Sequence, residues 1–160
     1  MSDVALAGEI PITSRFLFEV DGIEVASFNE VDGLEMRVEV VTFTEGGENG
    51  YVHQFPGHAS WPTLVMRKGT ISNNDALWKW INATTGEQFA ANKDTLTRKT
   101  AAITVMSSTG QRLRAWELQG AFPTYWRLSK LSVETSEPIG EEIHIVHNGF
   151  KPKDVSKATS

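Results

Sequence analysis

The chain has 160 residues, a formal net charge of -5 and no cysteine, with 40% hydrophobic and 22% charged residues. That balance fits one globular domain with a sizeable core; the missing thiols exclude disulfides, thiolate zinc sites and cysteine nucleophiles; and the acidity argues against an electrostatic grip on nucleic-acid backbones or anionic membranes. No apolar run approaches a membrane span, and residues 1–10 carry Asp3 and Glu9 without a basic flank or apolar stretch, so neither a secretory signal nor membrane anchoring is expected.

Residues 1–11 read as an N-terminal arm, 12–150 as one domain and 151–160 as a polar tail without apolar periodicity. Within the domain, period-two alternation dominates. Phe16, Phe18 and Val20 alternate with Arg15, Leu17 and Glu19, and Asp21-Gly22 turns the chain into a second strand over 23–28, paired with the first as a hairpin. Leu34, Met36, Val38 and Val40 then face one way and Glu35, Arg37 and Glu39 the other, the cleanest amphipathic strand in the chain. The doublet Val40-Val41 breaks its phase and Phe43 continues with opposite parity. A bulge there, or passage of the strand into a different environment, is expected. Glu45-Gly46-Gly47-Glu48-Asn49-Gly50 holds three glycines and an asparagine, which predicts a mobile or sharply turned loop. A short return strand over 51–55 meets Pro56-Gly57, and 63–68 is a further strand ended by Gly69.

One segment reads as a helix. Ser72 and Asp75 have capping-box spacing, Leu77, Trp78 and Ile81 carry the helical period, and Gly86 can end the run. With only about three turns, it holds only if docked on a sheet. Residues 101–107, 111–118, 121–128 and 141–147 are expected strands, and Thr109-Gly110 turns between the first two. The sum predicts a mainly β fold: two packed antiparallel sheets or a flattened β-barrel, with one short α-helix over an edge.

No constellation of residues in the sequence carries chemistry. His144 and His147 differ by three, which in a strand sends them to opposite faces. His53 and His58 flank a Pro-Gly turn, yet no acidic partner sits at a zinc spacing. Glu141 and Glu142 are adjacent and face apart, so they suit a solvated edge rather than concerted acid and base work. The 46–50 loop lacks the GxxxxGK[ST] pattern of a phosphate cradle, and there is no G-x-S-x-G elbow. No catalytic residue, metal or cofactor is assigned, and an enzyme is not expected.

The tryptophans divide by position. Trp78 and Trp80 lie two apart on the helix, so one belongs to the core and the other to a flank. Trp116 and Trp126 are expected in the core. Trp61 sits in irregular chain, where exposure would mark a contact surface. Aromatic platforms on a β-sandwich also suit sugars, which makes a carbohydrate-binding module the alternative function.

The order of motifs resembles a known family. Arg15-Phe16 to Asp21-Gly22 is followed by Phe28-Asn29-Glu30-Val31-Asp32-Gly33-Leu34, by the Glu45 to Val52 stretch with Pro56-Gly57, and by Leu64-Val65-Met66-Arg67-Lys68-Gly69. Leu77-Trp78-Lys79-Trp80-Ile81, Ala115-Trp116, Ala121-Phe122-Pro123 and Glu142-Ile143-His144-Ile145-Val146-His147-Asn148-Gly149-Phe150 complete the series. It is similar to the T4-like tail tube proteins, the inner-tube subunits of phage tails and of phage-derived extracellular contractile injection systems, from about residue 12 to 150.

The resemblance implies an Hcp-like fold and a tail tube domain over 12–150. It implies homohexameric rings stacked into a hollow tube inside a contractile sheath, with a baseplate hub, a tube terminator and a cargo of DNA or effector protein as partners. Assembly would take place in the bacterial cytoplasm, with release by lysis or action within the cell. On this view Glu35, Arg37 and Glu39 are lumen-facing candidates. Glu45, Gly46, Gly47, Asn49, Gly50, Tyr51, His53, Pro56, Gly57 and Trp61 are candidates for an arm that reaches a neighbouring subunit or ring, an ordinary surface loop being the plainer alternative.

Overall fold

Asp21 and Gly22 lie at φ of 52° and 80°, so the turn between the first two strands twists the way its flanks do. It joins β1 (Thr13–Val20) to β2 (Ile23–Phe28) in the expected hairpin. The structure, a computed structural model, describes residues 12–47, 50–68, 75–84, 98–129, 132–134 and 139–155. The remaining elements among them are β3 (Glu30–Asp32), β4 (Arg37–Phe43), β5 (His53–Ser60), β6 (Leu64–Lys68), α1 (Asp75–Thr84), β7 (Lys99–Ser107), β8 (Arg112–Leu128), β9 (Glu141–Val146) and β10 (Phe150–Lys153).

All pairings are antiparallel, and the main ladder runs β2-β1-β7-β8-β9-β6-β3, with β10 on β8. Strand β8 is 17 residues long because it serves two sheets. Its first half pairs with β7 and β10, and from Phe122 onward it pairs with β9. The alternation splits this strand in two at Gln119-Gly120, where Gly120 takes φ +60 and an added Cβ would meet the Asn148 amide at 2.9 Å. At the far end of the path, β2 and β3 are separated by Asn29 alone, whose N–H donates to the Arg67 carbonyl at 2.9 Å. The path does not close into a barrel; two packed antiparallel sheets are the architecture.

The inner faces meet in Phe18, Phe28, Leu64, Met66, Ile103, Leu118, Ile143 and Ile145, all essentially sealed from water. Each such side chain contributes about 1.5–3 kcal/mol on burial. Helix α1 lays Leu77 and Trp80 onto this core, with Trp80 5.5 Å from the Phe18 ring. Trp78 stays on the outside, edge-on to Trp126 at 5.2 Å. Ser72 and Gly86, the expected helix signals, lie outside the described residues. Two expectations change. Trp116 and Trp126 are half-buried rather than core. Lys151 to Lys153, expected in a polar tail, continue from Phe150 as β10; the arm over 1–11 and residues 156–160 lie outside the described residues.

Candidate assembly surface

Strands β4 and β5 form a two-stranded sheet of their own, apart from the main ladder. Every residue of β4 is exposed. Among the described residues thirteen large hydrophobics are exposed, and eight of them lie from Met36 to Phe55. The apolar stripe of this amphipathic strand is not covered by the core: Met36 is 55% and Val40 59% exposed, and only Leu34 packs on the core. The strand also begins at Arg37, not Leu34. A lone hairpin is marginally stable in water, and its outer edges carry unpaired backbone groups.

The phase break is real, but the bulge sits across the ladder from where the alternation puts it. Val38 pairs with Ala59 and Val40 with Pro56, so Gly57 and His58 together oppose Glu39. The extra residue is in β5. An added Cβ at Gly57 would come within 3.2 Å of Glu39 and 3.1 Å of the Val41 methyl, which explains glycine there. Pro56-Gly57 thus lies inside β5 and not in a turn beyond it. Proline is tolerated because β5 has a free edge.

Side chains sort by position along the ribbon. Near its base, Arg37 Nη2 lies 3.0 Å from Glu35 Oε1, an exposed pair of little energetic weight, and Glu39 shares the Arg37 face. Toward the tip that same face turns apolar: Val41 pairs with Phe55 and Phe43 with His53. The rings of Tyr51 and His53 are 4.9 Å apart and those of His53 and Phe55 6.3 Å. Glu45, Gly46, Gly47 and Gly50 are exposed at the tip, with Gly47 at φ +109; Asn49 lies outside the described residues. An exposed apolar patch on an uncovered ribbon marks an association surface.

Trp61 does not belong to that surface. It is half-buried, edge-on to Phe150 at 5.2 Å, and its indole would lie 3.2 Å from a Cβ added at Gly149. The exposed platform on which the sugar-binding alternative stood is absent at this position. His147 lies in the same cluster, and burial holds its imidazole below the ordinary value while Nδ1 accepts the Gly149 N–H at 3.2 Å.

Glu141 and Glu142 are not on a solvated edge either; β9 lies between β8 and β6. Glu142 accepts from Arg67 Nε at 2.6 Å, lies 2.9 Å from His144 Nε2, and has Arg127 at 3.4 Å. The Arg67 hydrogen bond above all, then that of His144, lowers its carboxyl to about 2. Arg67 in turn donates to Glu30 at 2.6 Å, so one ionic chain ties β3, β6, β9 and β8 together. Glu141 faces the other way, to Lys68 and the Trp126 indole. Charges alone along the sequence give no hint of which sister strand will carry their partners.

A mainly β fold of two sheets, with most of the exposed large hydrophobics among the described residues on a bare hairpin, suits assembly with other chains. The fold is shared with solved tail-tube machinery. A cryo-EM structure of an extracellular contractile injection system, the PVC sheath-tube complex in its extended state, matches with TM-score 0.73 and 23% identity over 97% of this chain and 99% of that one. The anti-feeding prophage tube-terminating cap gives 0.72 and 22%, covering 95% of each chain, and the anti-feeding prophage baseplate 0.68 and 18%, covering 91% and 96%. Among curated proteins no match was found. The chain belongs to the T4-like virus tail tube protein gp19 family, whose model matches residues 12–151. That family is one of structural tube proteins, not enzymes.

Proposed function

We propose that this chain forms homohexameric rings that stack head to tail into the hollow inner tube of a contractile tail or injection particle, the conduit for DNA or effector cargo. The observation that carries this is the β4–β5 hairpin, a ribbon with exposed apolar side chains on both faces and unpaired edges, on a family member whose other described strands are all paired in one ladder. Ring closure would pair or cover each such edge with a neighbour, and head-to-tail stacking is open-ended until capped. Residues 12–150 would form the tube domain and 1–11 an arm.

Within the tube, Glu35, Arg37 and Glu39 would line the lumen. Their mixed signs limit adhesion of a moving polyanion or protein. Tyr51, His53, Pro56 and Gly57, with the Glu45 to Gly50 tip, would reach a neighbouring copy; Trp61 drops out of that set because it packs inside its own chain. A sheath, a baseplate hub and a terminator are the partners that such a tube needs, and the fold neighbours come from a sheath-tube complex, a baseplate and a tube cap. The particle would assemble in the cytoplasm. Negative-stain microscopy of purified protein tests the proposal: rings or tubes, alone or seeded with baseplate, support it, and particles that remain single under both conditions overturn it.

A further inference from the structure

Strand β2 and helix α1 flank a largely apolar groove of about 260 Å³. Val20, Val25, Trp80 and Ala83 line it together with Lys79 and Lys99. Beside them Ile23 is 68% exposed. The volume falls short of the roughly 300–1,000 Å³ of small-molecule sites, and it suits a single large side chain. Lys99 is held by Asp21 at 3.0 Å, whereas Lys79 has no ion-pair partner among the described residues. The indole N–H of Trp80 is buried and has no acceptor among the described residues.

The hairpin tip has the complementary chemistry. From residue 41 to 55 its only full charges are Glu45 and Glu48, and Phe43 is 56% exposed. Phe43 and Glu45 are two residues apart, about 7 Å in extended chain. Ala83 and Lys79 are four apart on α1, about 6 Å along the helix. One apolar and one acidic group on the tip thus match, in spacing, one apolar and one basic position on the helix.

We propose that this groove receives the hairpin tip of a second copy, with Phe43 seated between α1 and β2 and Glu45 beside Lys79. The proposal rests on the tube reading and names the acceptor for its arm. The chain has no cysteine, so a Glu45→Cys/Lys79→Cys protein can be oxidised without background. Assembled material should give a ladder of covalent oligomers on a non-reducing gel, and each single variant should not. Separately, Lys79→Glu should raise the concentration needed for assembly at least about tenfold through like-charge contact, and Glu45→Lys added to it should restore assembly. Tubes without the ladder, or Lys79→Glu assembling at the wild-type concentration, overturn the docking while leaving the tube. Wild-type protein that never assembles removes the tube and the docking together.

Discussion

Lys68 Nζ lies 2.6 Å from Glu141 Oε2, and the two side chains are only 5% and 13% exposed. The pair joins neighbouring strands β6 and β9 under the edge of the core, with the lysine also 5.8 Å from the Phe28 ring. A charge so placed is stable only with its partner.

Lys68→Met should therefore cost about 3–5 kcal/mol, because it strands a buried carboxylate. Lys68→Met/Glu141→Leu should recover most of that and fall short by about 1 kcal/mol, since the Trp126 indole loses its acceptor. Urea unfolding measures both; a single variant within experimental error of wild type would show that the pair does nothing for stability.

Gly33 takes φ +85, and an added Cβ would overlap the Thr63 carbonyl oxygen. Gly33→Ala should lose about 1–3 kcal/mol or more. Gly22 also has positive φ but open space around it, so Gly22→Asn should change stability by no more than about 0.5 kcal/mol. Thermal melts of the two proteins separate strain from collision.

Among the described residues, His147 and Glu142 both bear on the acid limb of stability. His147 sits below its ordinary 6.5 because of burial, so the fold holds it neutral while the unfolded chain takes up a proton. Its contribution is complete above pH 6.5 and is lost as pH falls. Glu142, at about 2 against an ordinary 4.5, contributes fully above pH 4.5 and is lost between 4.5 and 2. The melting temperature should decline in two stages on acidification. His147→Gln should remove the first and Glu142→Gln the second, each from a lower starting stability; unchanged profiles would contradict both assignments.

Val40→Ser and Phe55→Ser alter exposed side chains of the hairpin. Each should leave the melting temperature of the single chain nearly unchanged, within about 0.5 kcal/mol, and yet weaken association. Sedimentation of the assembled fraction beside a thermal melt reads the two effects independently.

Much of this protein is written locally. The Asp21-Gly22 turn, the alternation in β1, the α1 stripe and the order of motifs each depend on residues a few positions apart, and those contacts are set by backbone geometry. The division of labour between Trp78 and Trp80 follows from the same geometry. What covers a strand is another matter, because it depends on residues far along the chain. Alternation from Leu34 to Val40 shows that the stripe wants cover, but only the tertiary structure shows that its own core does not provide it. Likewise only the pairing of β4 with β5 puts the extra residue at Gly57-His58, and only the packing of Trp61 on Gly149 and Phe150 takes that ring out of solvent. The sequence by itself determined the mainly β class, most of the strands, the Asp21-Gly22 turn and the family to which the chain belongs. The tertiary structure decided which charges are buried in pairs and which apolar face is left bare, since burial is a property of neighbours in space and not along the chain.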